Sequence, residues 1–118
     1  MTKYLSAKIE EIEVTESSIS YEGSITLDPE LIKEAGLLEW QAVDVNSKTT
    51  GERATTYILK GKKGDCQING ALSHKFKRGE LVHINTYGYG WPFMHNGKFI
   101  VPPPEIITKQ RVKEILSR

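Results

Sequence analysis

Short segments with the residue alternation of β-strands run through most of this 118-residue chain, and turn signals separate them at close intervals. Leu5, Ala7 and Ile9 alternate with other residues, as expected for a strand with one buried face. The alternation changes phase at Ile12, which predicts a bulge or bend between Ile9 and Ile12. Asn69-Gly70 is a strong turn signal further along the chain. Many short strands with close turns predict a mainly β protein, built as a small β-barrel.

Two short helices are predicted beside the strands. Asp28 can cap a helix that begins at Pro29, and Gly36 ends this helix after about two turns. Three consecutive prolines, Pro102 to Pro104, form a stiff extended spacer. The stretch after them, Glu105 to Arg118, is predicted to be a C-terminal helix with basic residues near its end.

The composition limits the class of protein. A chain of 118 residues is long enough for one domain, residues 1–118, with a real hydrophobic core. The net charge of +1 gives no general attraction to nucleic acid or acidic membranes, so neither is predicted as a partner. Cys66 is the only cysteine, which leaves no internal disulfide and favours a cytoplasmic location. The N-terminus lacks the apolar block of a signal peptide, and no apolar run approaches the length of a membrane span.

The segment Tyr21-Glu22-Gly23-Ser24 lies in a β-like run from Ile19 to Leu27. A glycine inside a strand pattern marks a bulge, a tight turn or the close approach of another backbone. It also suits a self-cleaving serine, because the Ser24 hydroxyl could attack a reachable Gly23 carbonyl and convert the peptide bond into an ester. Elimination of the ester would leave dehydroalanine, which hydrolyses to a pyruvoyl group. From these residues alone, an ordinary glycine turn is the simpler interpretation.

With these elements in place, the chain resembles the pyruvoyl-dependent aspartate 1-decarboxylases. The resemblance covers roughly residues 3 to 87 and is sharpest across Tyr21-Glu22-Gly23-Ser24 and the following Ile25-Thr26-Leu27-Asp28. No single segment is decisive, but the order and spacing of the segments together are specific. The other matching segments are Ala7-Lys8-Ile9, Val14-Thr15, Ala35-Gly36-Leu37-Leu38-Glu39, Gly51-Glu52-Arg53, Thr56-Tyr57 and Asn69-Gly70-Ala71.

The resemblance implies a double-psi β-barrel that assembles as a homotetramer with its sites between neighbouring subunits. It implies that a zymogen cleaves itself between Gly23 and Ser24, giving a β chain of residues 1–23 and an α chain of residues 24–118. The covalent cofactor is then a pyruvoyl group derived from Ser24, which forms a Schiff base with the substrate. The implied reaction is decarboxylation of L-aspartate to β-alanine, a precursor of pantothenate. Whether cleavage needs a separate maturation factor stays open.

The resemblance also implies roles for individual residues. Ser24 and Tyr57 are the implied catalytic residues, with the phenol of Tyr57 returning a proton to the carbanion. Processing is implied to involve Gly23, Ser24 and Thr56, where the Thr56 hydroxyl polarises the Gly23 carbonyl. Two cations suit the carboxylates of an acidic amino acid, and one loop presents amide and backbone donors. These implied substrate-binding residues are Lys8, Arg53, Asn69, Gly70 and Ala71.

One departure from the family pattern leaves the substrate open. Asn46 stands where the family commonly has a tryptophan that lines the pocket, and a smaller residue there could admit a larger acidic amino acid such as glutamate. A different alternative is an uncleaved barrel that binds a ligand without turnover, which the joint presence of the implied site residues disfavours. The three histidines and Cys66 lack the spacing of metal ligands, so no metal site is predicted.

Overall fold

The computed structural model describes residues 1–19 and 24–118, which form ten strands, two α-helices and one 3₁₀ turn. Most strands are short, as the close spacing of the turn signals predicts. The strands are β1 (Thr2–Glu13), β2 (Glu16–Ser18), β3 (Ser24–Leu27), β4 (Ala42–Ser47), β5 (Arg53–Lys60), β6 (Cys66–Asn69), β7 (Leu81–Gly90), β8 (Phe93–His95), β9 (Lys98–Ile100) and β10 (Glu105–Ile107). The helices are α1 (Pro29–Glu34) and α2 (Lys109–Leu116), and the 3₁₀ turn is Gly70–His74.

A bend in the first strand closes the sheet. β1 pairs antiparallel with β7, and its register shifts between Ile9 and Ile12, where Glu11 has a φ of 42°. The predicted bulge is therefore confirmed. Beyond the bend, the Thr15 N–H donates to the Cys66 carbonyl at 2.9 Å, and β2 then runs parallel to β6. The bend thus carries one stretch of chain from the β7 side of the sheet to the β6 side.

The strand order is β10-β1-β7-β4-β5-β3-β6-β2, and β1 and β2 are consecutive parts of one stretch of chain. Because β1 lies near one end of this order and β2 at the other, the sheet closes into a barrel. Its strand pairs are mixed: β3 runs parallel to β5 and antiparallel to β6. The prediction of a mainly β barrel with short helices and a C-terminal helix is confirmed.

Alternation along each strand separates the barrel interior from its outer face. On β5, Thr56 and Ile58 are buried, whereas Arg53 and Thr55 are exposed and Tyr57 is half-buried. The interior is filled by aliphatic side chains together with a buried phenylalanine, including Ile9, Ile25, Leu27, Val43, Val45, Ile58, Ile68, Phe76, Val82 and Ile84.

Helix α1 begins and ends at the residues that the sequence predicts. The Glu30 N–H donates to the Asp28 Oδ1 at 2.7 Å, Pro29 occupies the first helical position, and Gly36 follows with a φ of 70°. Asp28 Oδ2 also accepts from the Gly64 N–H at 2.8 Å. The carboxylate of Asp28 therefore connects the start of α1 to the turn between β5 and β6 by hydrogen bonds.

The C-terminal stretch differs from its prediction in one part. The helix covers only Lys109–Leu116, whereas Glu105–Ile107 is a strand that runs parallel to Ala7–Ile9 of β1. β1 has an open edge at this point, and the extended chain after the prolines satisfies its backbone groups by pairing there. Ile107 becomes 2% exposed as a result, so tertiary pairing outweighs the local preference for helix.

The region from Gly88 onward contains regular strands. β7 continues through Gly90, because Gly88 and Gly90 lie under the ring of Tyr4 on β1. A Cβ at Gly88 would meet the end of the Tyr4 ring at 3.0 Å, so the ring would have to shift to accommodate a side chain there. β8 and β9 form a separate two-stranded hairpin beyond this point.

Across the described residues, the helices are too short and polar for any of them to traverse a bilayer.

Candidate active site

Ser24 is the first residue of β3 and lies between two neighbouring strands. It is only 1% exposed, and its directly opposite partner on antiparallel β6 is Asn69. On the other side, Ile25 is level with Ile58 of parallel β5, which brings the start of β3 beside Tyr57. Ile25, Ile58 and Ile68 all point into the core, so Ser24 and Asn69 lie on the opposite face of the sheet.

Asn69 is a buried polar residue beside this serine. Its side chain is 5% exposed, and its Nδ2 donates to the Thr26 Oγ1 at 3.3 Å. Its Oδ1 is buried, and no group within residues 1–19 and 24–118 donates to it. A buried acceptor without a donor costs free energy, so this atom is suited to a polar group of a ligand.

The predicted loop continues from Asn69 into the 3₁₀ turn. Gly70 is buried and has a φ of 70°, a conformation that side chains rarely adopt. Ala71 is exposed at the next position. Asn69, which is paired with Ser24, and Gly70 are therefore the buried residues of this loop, and Ala71 is its exposed residue.

Tyr57 shares the outer face of the sheet with Ser24. Its ring stacks on Trp40, with centroids 5.6 Å apart and an angle of 25° between the planes. Trp40 is itself 69% exposed, so this stack forms an aromatic wall at the surface. Thr56 points the other way and is 8% exposed, so the two neighbouring residues serve different faces of β5.

Arg53 lies on the same face of β5 as Tyr57 but four residues earlier. A strand rises about 3.3 Å per residue, so the two Cα atoms are about 13 Å apart along the strand. The Arg53 Nε donates to the Asn46 Oδ1 at 3.0 Å, across the β4–β5 pair. The guanidinium is thus held away from Ser24 within one chain.

Lys8 is further from Ser24 still. It is level with Asn85 of β7, which is level with Asp44 of β4. β7, β4 and β5 lie between β1 and β3 in the sheet order, so the path along this side of the barrel is about 19 Å at the usual strand spacing. Strand pairing within one chain therefore brings together Ser24, Asn69 and Tyr57, with Gly70 next to Asn69, whereas neither Lys8 nor Arg53 is paired with these positions.

Gly23, the implied partner of Ser24 in processing, lies outside the described residues, as do Tyr21 and Glu22. The geometry of the bond between Gly23 and Ser24 is therefore not described.

Sequence reasoning missed the hydrogen bond from Arg53 to Asn46. The signal was available, because a hairpin loop from Ser47 to Glu52 puts residues 46 and 53 opposite each other. It also missed Asn85, whose Oδ1 is buried with no donor in the described part of the chain. No local signal could have found this second atom, because its neighbours come from distant strands.

Cys66 lies at the far end of β6 from Asn69 and is fully buried. Burial, together with the nearby charge of Asp65, raises the pKa of its thiol to about 12. The thiol therefore stays protonated and behaves as a small apolar side chain.

These features define a small closed β-barrel protein with a buried serine at the start of a central strand. The sequence profile described as aspartate decarboxylase matches residues 1–108. An aspartate 1-decarboxylase of Campylobacter hominis is 51% identical over 83 residues, which cover 70% of this chain and 73% of that protein. An aspartate 1-decarboxylase of Campylobacter concisus is 43% identical over 113 residues, or 96% of this chain and 95% of its own. The chain belongs to the aspartate decarboxylase family, as the resemblance predicts.

Among solved structures, the computationally designed msDPBB_sym2 protein is similar over 70% of this chain and 96% of its own, with a TM-score of 0.41 and 14% identity.

Proposed function

We propose that this protein is an L-aspartate 1-decarboxylase that releases carbon dioxide and forms β-alanine, using a pyruvoyl group made from its own Ser24. Membership of the family supports the reaction. The observation that carries the proposal is the setting of Ser24, which is buried at the start of β3 opposite Asn69 and beside Tyr57.

Processing begins with attack of the Ser24 Oγ on the Gly23 carbonyl carbon, which moves the acyl group from the Ser24 nitrogen to its oxygen. Loss of the Ser24 α-proton then breaks the Cβ–Oγ bond, releasing the Gly23 carboxylate and leaving dehydroalanine. Water hydrolyses the enamine, releases ammonia and leaves the pyruvoyl group. The products are chains of residues 1–23 and 24–118.

The burial of Ser24 favours this route over simple hydrolysis of the ester. At 1% exposure, the serine offers bulk water little access to the ester before elimination. We assign Thr56 to this stage, as a hydroxyl that polarises the Gly23 carbonyl from the interior side of β5.

The residues around Ser24 fit the cofactor that the family implies. A pyruvoyl group at position 24 would supply a carbonyl able to bond the substrate amine and to accept the electron pair that remains when carbon dioxide leaves. Asn69 Oδ1 accepts no hydrogen bond within residues 1–19 and 24–118, lies beside this position, and would accept from the substrate N–H. Gly70 and Ala71 line the same side, where the small residues leave room for the substrate backbone. Tyr57 donates its phenol proton to the carbon that lost the carboxylate.

In this proposal, Arg53 and Lys8 are the cationic partners of the two carboxylates of the substrate. Arg53 lies about 13 Å along β5 from Tyr57, and Lys8 is on a strand that does not pair with β3, so strand pairing within the chain places neither residue beside Ser24. We therefore assign them to a Ser24 of a neighbouring subunit, in the homotetramer that the family resemblance implies. This separation within one chain supports a site shared between subunits.

Denaturing intact-mass spectrometry, followed by assays with aspartate and glutamate, tests the proposal. We expect two fragments split between Gly23 and Ser24, the larger one with the mass of an N-terminal pyruvoyl group, and release of carbon dioxide from aspartate.

A single uncut chain that persists on warm incubation would point to a separate maturation factor, which re-assay after exposure to a lysate of the source cells would reveal. Faster turnover of glutamate than of aspartate would replace the substrate but keep the chemistry. Cleaved, pyruvoyl-bearing protein that decarboxylates neither amino acid would refute the proposal.

A further inference from the structure

The side chain of Asn46 holds the guanidinium of Arg53. The two residues are direct partners across the antiparallel pair of β4 and β5, and both side chains lie on the outer face of the barrel. The Arg53 Nε donates to the Asn46 Oδ1 at 3.0 Å. A single residue of the neighbouring strand therefore sets the orientation of the arginine fork.

This contact determines which donors of Arg53 remain for a ligand. A guanidinium has five N–H donors in a rigid plane, and a carboxylate can bind it from the side, through Nε and one Nη, or end-on, through Nη1 and Nη2. Asn46 occupies Nε and is the only partner of this guanidinium within residues 1–19 and 24–118. The side-on approach is therefore blocked, and the end-on fork is open.

A small cavity of about 170 Å³ lies at this point, lined by Asn46 and Arg53 together with Asp44, Ala54 and Thr55. Its volume suits a carboxylate group and a short carbon chain rather than a large ligand. Asp44 adds negative charge to the wall, but its Oδ1 accepts from the Thr55 hydroxyl at 2.7 Å. Arg53 is thus the positively charged residue that lines this cavity, and an anionic group bound in the cavity would contact it.

We propose that Asn46 is a positioning residue that fixes the end-on fork of Arg53 for the side-chain carboxylate of the substrate, and thereby determines specificity for its chain length. This inference rests on the proposed role of Arg53 in binding an acidic amino acid. A fork held at one distance from the reaction centre favours one chain length, whereas a released arginine can follow carboxylates at several distances.

Two substitutions at position 46 separate positioning from simple stability. Asn46→Leu keeps the γ-branched shape of the side chain but removes the acceptor. Asn46→Asp keeps an acceptor for Nε but adds a carboxylate that competes with the substrate for the same guanidinium. Thr50→Val is the matched control, because its hydroxyl accepts from the Glu52 N–H at 3.1 Å in the loop of the same hairpin, away from Arg53.

For Asn46→Leu we expect complete processing by intact mass, a KM for aspartate about fivefold higher, and kcat changed by less than about twofold, since one net hydrogen bond is lost. The preference for aspartate over glutamate in kcat/KM should fall by a similar factor. For Asn46→Asp we expect a larger rise in KM without a lower Tm. Thr50→Val should leave KM and the preference unchanged.

A purely structural role predicts a different pattern. If KM rises only in variants whose Tm falls, or if Thr50→Val raises KM as much as Asn46→Leu, the positioning role is wrong. Unchanged KM and unchanged substrate preference in Asn46→Leu would also overturn it.

Binding of succinate, which has both carboxylates of aspartate but no amine, tests the inference without turnover. Calorimetry on the processed wild-type protein and on Asn46→Leu should show about fivefold weaker binding in the variant. If the wild type decarboxylates nothing but this difference is present, the proposed reaction fails and the positioning role stands. If decarboxylation is present but succinate binds both proteins equally, the positioning role fails alone.

Discussion

The barrel carries two polar regions on its outer face that are built in opposite ways. The Ser24 region, formed by Ser24, Asn69 and Gly70, is buried and organised by backbone pairing of β3 with β6. The Arg53 region, formed by Arg53 and Asn46, is accessible to solvent and organised by one side-chain hydrogen bond between β4 and β5. Bond rearrangement within the chain benefits from exclusion of water, whereas capture of a charged substrate requires access from solvent.

The contrast between the two regions predicts that substitutions in them have different kinds of effect on activity. A change in the Ser24 region should act in an all-or-none manner, because an unprocessed chain has no carbonyl cofactor. A change in the Arg53 region should act in a graded manner on substrate affinity, because the proposed role of Arg53 is to bind the substrate and not to take part in processing.

The largest effect is expected for Ser24→Ala. Alanine has no oxygen to attack the preceding carbonyl, so the chain should stay uncut and decarboxylation should fall to background. Denaturing intact-mass spectrometry and a carbon dioxide assay measure the two results. Ser117→Ala is a suitable control, since that hydroxyl only donates to the Glu114 carbonyl at the end of α2. Turnover by an uncut Ser24→Ala chain would show that the catalyst is something else.

Tyr57→Phe should separate processing from turnover. Phenylalanine keeps the stack on Trp40 and removes only the hydroxyl, so the fold should be preserved. We expect normal cleavage and a kcat lower by about a hundredfold, the usual contribution of a positioned proton donor. Steady-state kinetics on protein verified by intact mass provide the measurement. A kcat equal to that of the wild type would remove Tyr57 as the donor.

Arg53→Lys should produce the graded effect that the contrast assigns to its region. Lysine keeps the charge but loses the planar fork and the Nε bond to Asn46, so KM should rise by about tenfold while cleavage stays complete. Arg78→Lys, at an exposed turn, is the matched control. An uncleaved Arg53→Lys chain would contradict the separation of the two regions.

The smallest effect is expected at a third place, the contact between α1 and α2. Hydrogen bonds from Arg111 hold the pKa of the Glu34 carboxyl below its usual value. A carboxyl whose pKa is lowered by folding stabilises the folded state at pH values above its pKa in the unfolded chain, which is about 4.3 for glutamate. This stabilisation is lost as the pH falls through the pKa of the folded state.

Glu34→Gln should therefore lower Tm slightly at pH 7, and the difference from the wild type should shrink in acid. Thermal melts between neutral and acidic pH measure this change. Cleavage and KM should be unaffected, since the contact is remote from both regions. A KM that changes with Glu34→Gln would mean that α1 and α2 are coupled to substrate binding.

Much of the local structure follows from neighbouring residues. Asp28, Pro29 and Gly36 define the ends of α1, because caps and left-handed turns involve groups only a few residues apart. The phase change between Ile9 and Ile12 indicates the bend for the same reason, since alternation is a property of consecutive residues. The family resemblance likewise depends on the order of short segments, and it correctly indicates the family and the barrel.

The pairing of strands that are distant in the sequence determined one further element and the relative positions of the candidate site residues. Glu105–Ile107 became a strand because β1 had an open edge beside it, which no pattern within that stretch records. The position of Asn69 opposite Ser24, and of Lys8 three strands from β5, depends on strand order and register across the whole barrel. The sequence by itself therefore determined the family and most of the local elements, and it supplied the candidate site residues. Only the closed sheet determined which of those residues meet, because strand pairing joins positions that are far apart in the chain.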